Sequence, residues 1–372
     1  MKLTCNRRVL HDALQHVSRV VSGRTTLPIL SNLLLEADSG RLRVVAYDME
    51  IGAQSAVPIE VEEEGALTVP ARVLGDVVAS LPDATVEMRS ADRNIMELSC
   101  GRSQYTIHGL PAEEYPALPE VEEGAGFDIS QAGMRDLIRA TILAASTDET
   151  RAILTGILVK RDGETVKLIA TDSYRLAVRT APSGTVKLEG GESDWQVIVP
   201  ARALQELNRM LDPAQEETVV RVRASEQQIL FEVGPYRLIS RLIEGQFPNY
   251  ERVIPTEIER TVTVARADLL GAIKRAAIVA RAEASKLVFR IQEGTLTITA
   301  ESGDVGRAHE ELPANIEGEE GEIAFNAEYL TDVLSVMESD QVVWQLSGPL
   351  SSGLIKGADD PDYLYVVMPM QL

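Results

Sequence analysis

Two aspartates stand at the ends of strand-like runs, where a carboxylate could hold a divalent metal for phosphoryl chemistry: Asp48 in LRVVAYDMEIGAQ and Asp172 in VKLIATDSYRLAV. A nuclease or nucleotidyltransferase would need such carboxylates in pairs, with a glycine-rich phosphate loop closed by Lys and Thr or a His-rich site. The sequence supplies neither. His11, His16, His108 and His309 have no ligand spacing, and Cys5 and Cys100 stand alone rather than in CxxC pairs, so neither a metal site nor a disulfide framework is indicated. Asp48 and Asp172 instead recur at the same place in two similar segments, 124 positions apart, which favours a structural turn over catalysis. The expectation is a protein with no catalytic residue, no cofactor and no metal.

The elements around these aspartates repeat. VPARVLGDVV from Val69 returns as VPARALQELN from Val199, and a third version, FNAEYLTDVLSVM from Phe325, puts Asn-Ala-Glu in place of Pro-Ala-Arg. The Asp-bearing strand returns as LTITAESGDVGRA from Leu296. Each unit opens with an amphipathic helix, RRVLHDALQHVSRVV from Arg7, QAGMRDLIRATILAAS from Gln131 and RADLLGAIKRAAIVAR from Arg266, with apolar residues at three- and four-residue spacing. Short alternating strands follow, then the VPAR-type helix, whose Pro70 and Pro200 fit a first helical turn. A chain that repeats a unit at this period is built from repeated structural units. The fold class is therefore α+β, with two helices on antiparallel strands in each of three domains: 1–120, 128–253 and 257–372.

The 372 residues are 45% hydrophobic, enough for packed cores, and no apolar run approaches the roughly 20 residues of a membrane span. With no basic and apolar leader pattern, the chain reads as soluble and cytoplasmic. A net charge of −21 argues at first against a nucleic-acid partner. The distribution argues otherwise. The six helical segments carry +2 (7–19), zero (70–81), +1 (130–145), +1 (200–211), +3 (265–281) and −2 (326–337), a net +5 against −26 elsewhere. Mildly basic helices could gather around a polyanion with acidic strands and loops turned outward, although ordinary solvated helix faces explain the same arginines.

The chain resembles the beta sliding clamp family, the processivity rings of bacterial DNA polymerase III, along essentially its whole length. The resemblance rests on GRTTLPILSNLLL from Gly23, TVPAR from Thr68, GLPAEEYPALP from Gly109, ATDSYRLAV from Ala170, IVPAR from Ile198, FPNYERVIP from Phe247 and YVVMPMQL from Tyr365, in order and at family-like spacing. It implies a DNA clamp fold closed as a head-to-tail dimeric ring, helices lining the hole, around double-stranded DNA that is held without sequence readout. Helix geometry independently asks for two copies. Six helices at about 10 Å spacing leave roughly 9 Å clear, too little for a duplex, whereas twelve leave about 28 Å.

By resemblance Arg24 contacts DNA; Arg7, Arg135, Arg139, Arg202, Arg209, Lys274 and Arg275 are further candidates on the helices. The family's hydrophobic cleft receives short linear peptides from the replicative polymerase alpha subunit, the clamp loader, other polymerases and repair proteins. Carried over, it would use Arg151, Leu154, Thr171, Ser173, Tyr174, Arg175, Leu176, Pro248, Arg252, Val253, Asn326, Tyr329, Ser352, Val366, Met368 and Met370. Flexible methionines suit a surface that accepts several partners, and two or three buried anchors give affinity near the micromolar range, about −8 kcal/mol. The commoner family pattern has Gly at Ser173, His at Tyr174 and Arg at Gln371, so the peptide preference of this cleft is its own. Tyr105, Ile278 and Val279 would form the apolar dimer interface, while Val73 and Gln104 replace basic residues of some relatives, which implies fewer interface ion pairs. Two alternatives stay open on residues alone: a non-DNA peptide-binding scaffold and a carboxylate-dependent nuclease.

Overall fold

A computed structural model describes residues 1–21, 27–91, 94–121, 125–182, 184–189, 194–348 and 350–372. These contain six α-helices: α1 (Arg7–Val17), α2 (Ala71–Ser80), α3 (Gln131–Thr141), α4 (Ala201–Met210), α5 (Arg266–Ala280) and α6 (Ala327–Val336). The strands pair antiparallel, so the α+β expectation holds. Asn6 and Asn326 cap α1 and α6, each side-chain oxygen accepting from a first-turn N–H, of Arg8 and Glu328 respectively. Pro70 and Pro200 end the preceding strands instead of entering the helix. The proline ring suits either state, but pairing with Asn32 keeps residue 70 extended, at φ −56° and ψ 119°, and α2 begins at Ala71. α1 and α3 also stop before their apolar patterns do, passing into 3-10 turns over Ser18–Val20 and Ile142–Ala144.

The repeat is visible strand by strand. A four-strand set runs Gly65–Pro70, Asn32–Asp38, Arg41–Tyr47, Ile51–Pro58 in the first repeat. It recurs as Trp195–Pro200, Gly156–Asp162, Thr165–Thr171, Arg175–Thr180, and again as Gly321–Asn326, Lys286–Gln292, Thr295–Ser302, Gly306–Pro313. A five-strand set runs Glu60–Glu63, Lys2–Asn6, Thr85–Ala91, Ile95–Cys100, Ser103–His108. Its counterparts end in the strands Tyr236–Arg241 and Asp360–Val367.

Sets from neighbouring repeats fuse edge to edge. Tyr236–Arg241 pairs with Ile51–Pro58, Leu238 opposite Ala53, and Asp360–Val367 pairs with Arg175–Thr180, Tyr365 opposite Ala177. Each fusion makes a nine-stranded sheet. The chain accordingly forms two compact units, one of Met1–Met134, Lys187–Ser193 and Arg202–Leu242, the other of Arg135–Val186, Asp194–Ala201 and Ile243–Leu372. The second repeat contributes strands to both because each of its two strand sets fuses with a different neighbour.

Asp48 and Asp172 do the same structural work. Asp48 Oδ1 accepts from the N–H groups of Glu50 (3.0 Å) and Ile51 (2.7 Å), and Asp172 Oδ1 from those of Tyr174 (2.9 Å) and Arg175 (3.0 Å). The residue after each, Met49 or Ser173, is left-handed at φ 78° or 80°. After these turns the repeats diverge. Gly52, opposite Tyr47, lies under Leu118, so close that a Cβ at 52 would come within 2.4 Å of Leu118 Cδ2, and Tyr115 donates to the carbonyl of Asn32 and accepts from the N–H of Tyr47. The corresponding residue of the second repeat is the buried Leu176, opposite Thr171.

In the second unit Trp344 packs edge-on to Phe289 with ring centroids 5.0 Å apart and lies 5.1 Å from Phe325, forming the aromatic heart of the third repeat. Arg179 fastens the second repeat to the third. Its Nε donates to Asp136 of α3 and its Nη1 to Asp360, both at 2.6 Å, while the Tyr363 hydroxyl donates to the carbonyl of Ala140. Burial raises the pKa of Asp136 and Arg179 opposes that rise. Arg179→Ala would leave two partly buried carboxylates facing each other. We expect a loss of about 2 kcal/mol, the buried-pair cost reduced for solvent exposure, read as a lower melting temperature by calorimetry.

Candidate functional site

A groove of about 210 Å³ opens in the second unit where the four-strand set of the second repeat meets the last strand of the third. Register places Leu176 opposite Val366 and Arg175 opposite Val367, and the Met368 N–H donates to the Tyr174 carbonyl at 2.8 Å, extending the ladder past the strand end. The 3-10 segments Glu149–Thr155 and Tyr250–Val253 form its rims. Leu154, Thr171, Ser173, Arg175, Leu176, Pro248, Val253, Val366 and Met368, all expected on resemblance, line it together. Beneath them Leu158, Ile169, Leu176, Val178, Phe247 and Val366 form one buried apolar cluster. Tyr174, Val253 and Met368 are exposed large apolar groups at the site. Such a surface can bury apolar peptide side chains.

The other expected cleft residues lie around the groove. Arg252 and Ser352 line an adjoining, more polar groove of about 550 Å³ that shares Val253 and Met368 with it. Arg151 works behind the wall: Nη1 donates to the Asp172 carbonyl (3.0 Å) and Ser173 Oγ (3.3 Å), Nη2 to Ser146 Oγ, and Nε pairs with Asp148 at 2.9 Å. Asn326 is spent on capping α6, Tyr329 stacks on Arg175, and the Met370 N–H donates to the Ala324 carbonyl. Asn249 and Tyr250 line the groove and were not among the residues expected, although both lie inside the FPNYERVIP stretch.

Arg175 is the charged member of the wall, its side chain only 12% exposed. Nε donates to Asp172 Oδ2 at 3.0 Å, Nη1 to Asp332 Oδ2 at 2.6 Å, and the guanidinium carbon sits 4.4 Å over the Tyr329 ring. Burial works against its charge, but Tyr365, Asp332 and Asp172 hold its pKa above the ordinary value. Asp332 was not read from the sequence. It lies 157 residues from Arg175, on α6, with no local pattern to join them.

The helix-borne cations divide into two groups. Arg202 pairs with Asp48, Arg209 with Glu206 and Arg275 with Glu310, so part of the basic character read from the sequence is neutralised locally. Arg139 and Lys274 are exposed and Arg135 half-buried, and none has an ion pair among the described residues. Arg7 is half-buried with its Nε lacking a hydrogen-bond partner. Arg24 lies outside the described residues. No group of three His, Cys, Asp or Glu side chains able to hold a metal occurs among the described residues. Of the expected interface residues, Tyr105 is half-exposed on the edge strand Ser103–His108, while Ile278 (64% exposed) and Val279 lie on α5.

Residues 1–119, 128–249 and 251–371 match the family models for the N-terminal, central and C-terminal domains of the DNA polymerase III beta subunit. The chain is 35% identical to the beta sliding clamp of Synechocystis and 34% identical to that of Vibrio cholerae, over all of this chain and all of each relative. Among solved structures, a DnaN sliding clamp from Pseudomonas aeruginosa bound to griselimycin superposes with a TM-score of 0.94 at 35% identity, covering both chains fully. A Bacillus subtilis DNA polymerase sliding clamp does so with a TM-score of 0.94 at 30% identity, over all of this chain and 99% of the other.

Ser173, at the rim of the groove, holds a left-handed φ of 80° that glycine adopts without a Cβ penalty. Ser173→Gly is expected to stabilise the protein by about 1 kcal/mol, as an upward shift in melting temperature.

Proposed function

We propose how this chain works from one premise: it belongs to the DNA polymerase III beta subunit family, the beta sliding clamps. It is a DNA sliding clamp, a non-catalytic processivity subunit, and its partners are DNA and the polymerase. Beyond that, we infer three clamp domains, 1–120, 128–253 and 257–372, and a head-to-tail homodimer that closes as a ring around the duplex. The threefold recurrence of the strand sets supports the domain division.

The observation that carries the ring is a pair of open edges. In the described chain the five-strand set of one repeat fuses with the four-strand set of its neighbour twice. Ser103–His108 and Gly306–Pro313 are the corresponding strands left at sheet edges. A second copy supplies each with its partner. The repeat also gives the register. Tyr105 opposes Leu98 as Leu238 opposes Phe231, and Ala308 opposes Ala300 as Ala53 opposes Ala46 and Ala177 opposes Ala170. Since Leu238 pairs with Ala53, Tyr105 belongs opposite Ala308 of the partner subunit. Val73 of α2, 46% exposed, and Ile278 of α5 would be covered by the same closure.

Inside such a ring Arg139, Lys274 and Arg135 meet phosphate directly, with Arg7 and Arg24 beside them, and Arg202, Arg209 and Arg275 exchange a carboxylate for a phosphate. Few net cations are enough, because topology rather than affinity retains the duplex, and tight contacts would oppose sliding. Binding to open DNA is accordingly weak, salt-sensitive and blind to sequence. The apolar groove takes short peptides from the replicative polymerase alpha subunit, the clamp loader and other polymerases and repair proteins in turn. We place this work in the cytoplasm; among the described residues no helix is long and apolar enough to cross a membrane.

Small-angle X-ray scattering should give twice the chain mass and the distance distribution of a hollow disc. A compact monomer at micromolar concentration would favour the peptide-binding scaffold instead. The double substitution Tyr105→Cys and Ala308→Cys should cross-link two chains on mild oxidation, because facing Cα atoms in an antiparallel pair fall within disulfide range. Moving the second cysteine to Arg307 should abolish the cross-link, since adjacent residues point to opposite faces. The strand segment 103–107, SQYTI, carries no charge, so dimer dissociation should change little between low and high salt in analytical ultracentrifugation.

A further inference from the structure

The fusion of the first and second repeats and that of the second and third share a backbone ladder but not its fastening. Each is central in its nine-stranded sheet, and Ser55 opposite Tyr236 in the first stands where Arg179 faces Tyr363 in the second. Around that rung the second fusion is engaged. Arg179 lies 5.7 Å over the Tyr363 ring and bonds Asp136 and Asp360, the Tyr363 hydroxyl bonds the Ala140 carbonyl, and Arg175 reaches Asp332 of the third repeat.

The same rung of the first fusion is left unanswered. Ser55 is fully buried, and its Oγ has no hydrogen-bond partner among the described residues. Asp12, which matches Asp136 when α1 and α3 are aligned from their first residues, is exposed. His16 stands on α1 where α3 has Ala140, its ring edge-on to Tyr236 at 4.7 Å and its Nδ1 buried without a partner. Ser18 Oγ, Glu206 Oε2 and Asn208 Oδ1, on the turn after α1 and on α4, are buried without partners as well. An ion pair does cross this fusion, Arg202 with Asp48, but that arginine is 43% exposed against 11% for Arg179.

The two fusions therefore differ in what opening costs. Opening the second strands buried charges, which is strongly unfavourable. Opening the first breaks an ion pair that already stands partly in water, and it gives water to polar atoms that are unpaired while it is closed. We propose that the first fusion is the yielding joint of the chain: the side that carries His16 and Ser55 opens while the second fusion stays shut. A ring must part to admit a duplex, and on the ring reading above this joint supplies the bend.

Opening of the joint answers to pH. Burial, and then Arg19, push the His16 pKa below its ordinary value against the opposing pull of Asp12 and Asp212; Tyr236 is the titratable group against its ring. In the open joint the imidazole recovers an ordinary value of about 6.5. The open form thus binds more protons between the two values, and opening gains as the pH falls below about 6.5.

Hydrogen exchange of the full chain, read by mass spectrometry and corrected for intrinsic rates, tests the joint. At neutral pH, segments 51–58 and 236–241 should exchange about tenfold faster than 175–180 and 360–367. Lowering the pH to about 5.5 should raise the corrected rate at the first pair about fivefold further. His16→Phe, which keeps an edge-on ring, and His16→Gln, which keeps a polar side chain, should both abolish that response. Ser55→Ala should slow exchange at the first fusion at either pH. Equal or slower exchange at the first fusion of the native chain overturns the proposal, as does a pH response that survives in both His16 variants. Scattering decides the ring separately: a chain that opens first here yet proves monomeric keeps the joint and loses the ring.

Discussion

A strand at the edge of a sheet presents a row of unpaired N–H and C=O groups, and the disposition of those rows organises this molecule. Four rows are consumed in pairs inside the chain, where the last strand of one set pairs with the last strand of its neighbour to make two nine-stranded sheets. Other edges are blunted by charge. Glu60–Glu63 reads EVEE, and Asn315–Gly318 runs on into Glu319 and Glu320, so like-charge repulsion discourages further pairing there. Ser103–His108 carries no acid at all, so no like-charge repulsion guards that edge.

The same fusion that settles the backbone also creates the groove. Pairing Arg175–Thr180 with Asp360–Val367 brings an arginine, a leucine, a valine and a methionine from two repeats onto one wall. Burying the cation there is tolerated because two carboxylates and an aromatic face surround it. Arg179, four residues along the same strand, repeats the device with Asp136 and Asp360. A single strand therefore carries two inward cations that bind its own repeat to the next.

Much of this was legible in the sequence, for physical reasons that also mark where legibility stopped. The repeats showed because helix period and strand alternation are local, so VPAR, its variant FNAE and the Asp-bearing strand stand out at fixed spacing. Asp48 and Asp172 were read as turn formers, and both make that turn. Pro70 misled because proline's fixed φ fits a strand end as well as a helix start, and only the partner strand decides. Neighbours such as Leu176 and Val366 came from family resemblance; nothing local links residues so far apart. Arg151 and Asn326 were expected at the cleft by resemblance, but neither lines the groove, and their side chains are committed to the turn behind it and to a helix cap. Asp332 escaped altogether, since a long-range ion pair leaves no trace in spacing, and the charge count of the helices could not show that Arg202, Arg209 and Arg275 were already paired.

Leu118 resting on Gly52 bears on valency. Three copies of one architecture could in principle carry as many docking sockets as they have junctions, and the first repeat has kept the strands, the aspartate turn and an overlying proline-rich segment. There the missing side chain at residue 52 admits the chain's own leucine, while Tyr115 is hydrogen-bonded to the strands beneath, so the position that is open in the second repeat has become core in the first. On the docking reading proposed above, partners that use the open groove of the second repeat would take turns there, and traffic among them would be governed by how fast each one leaves.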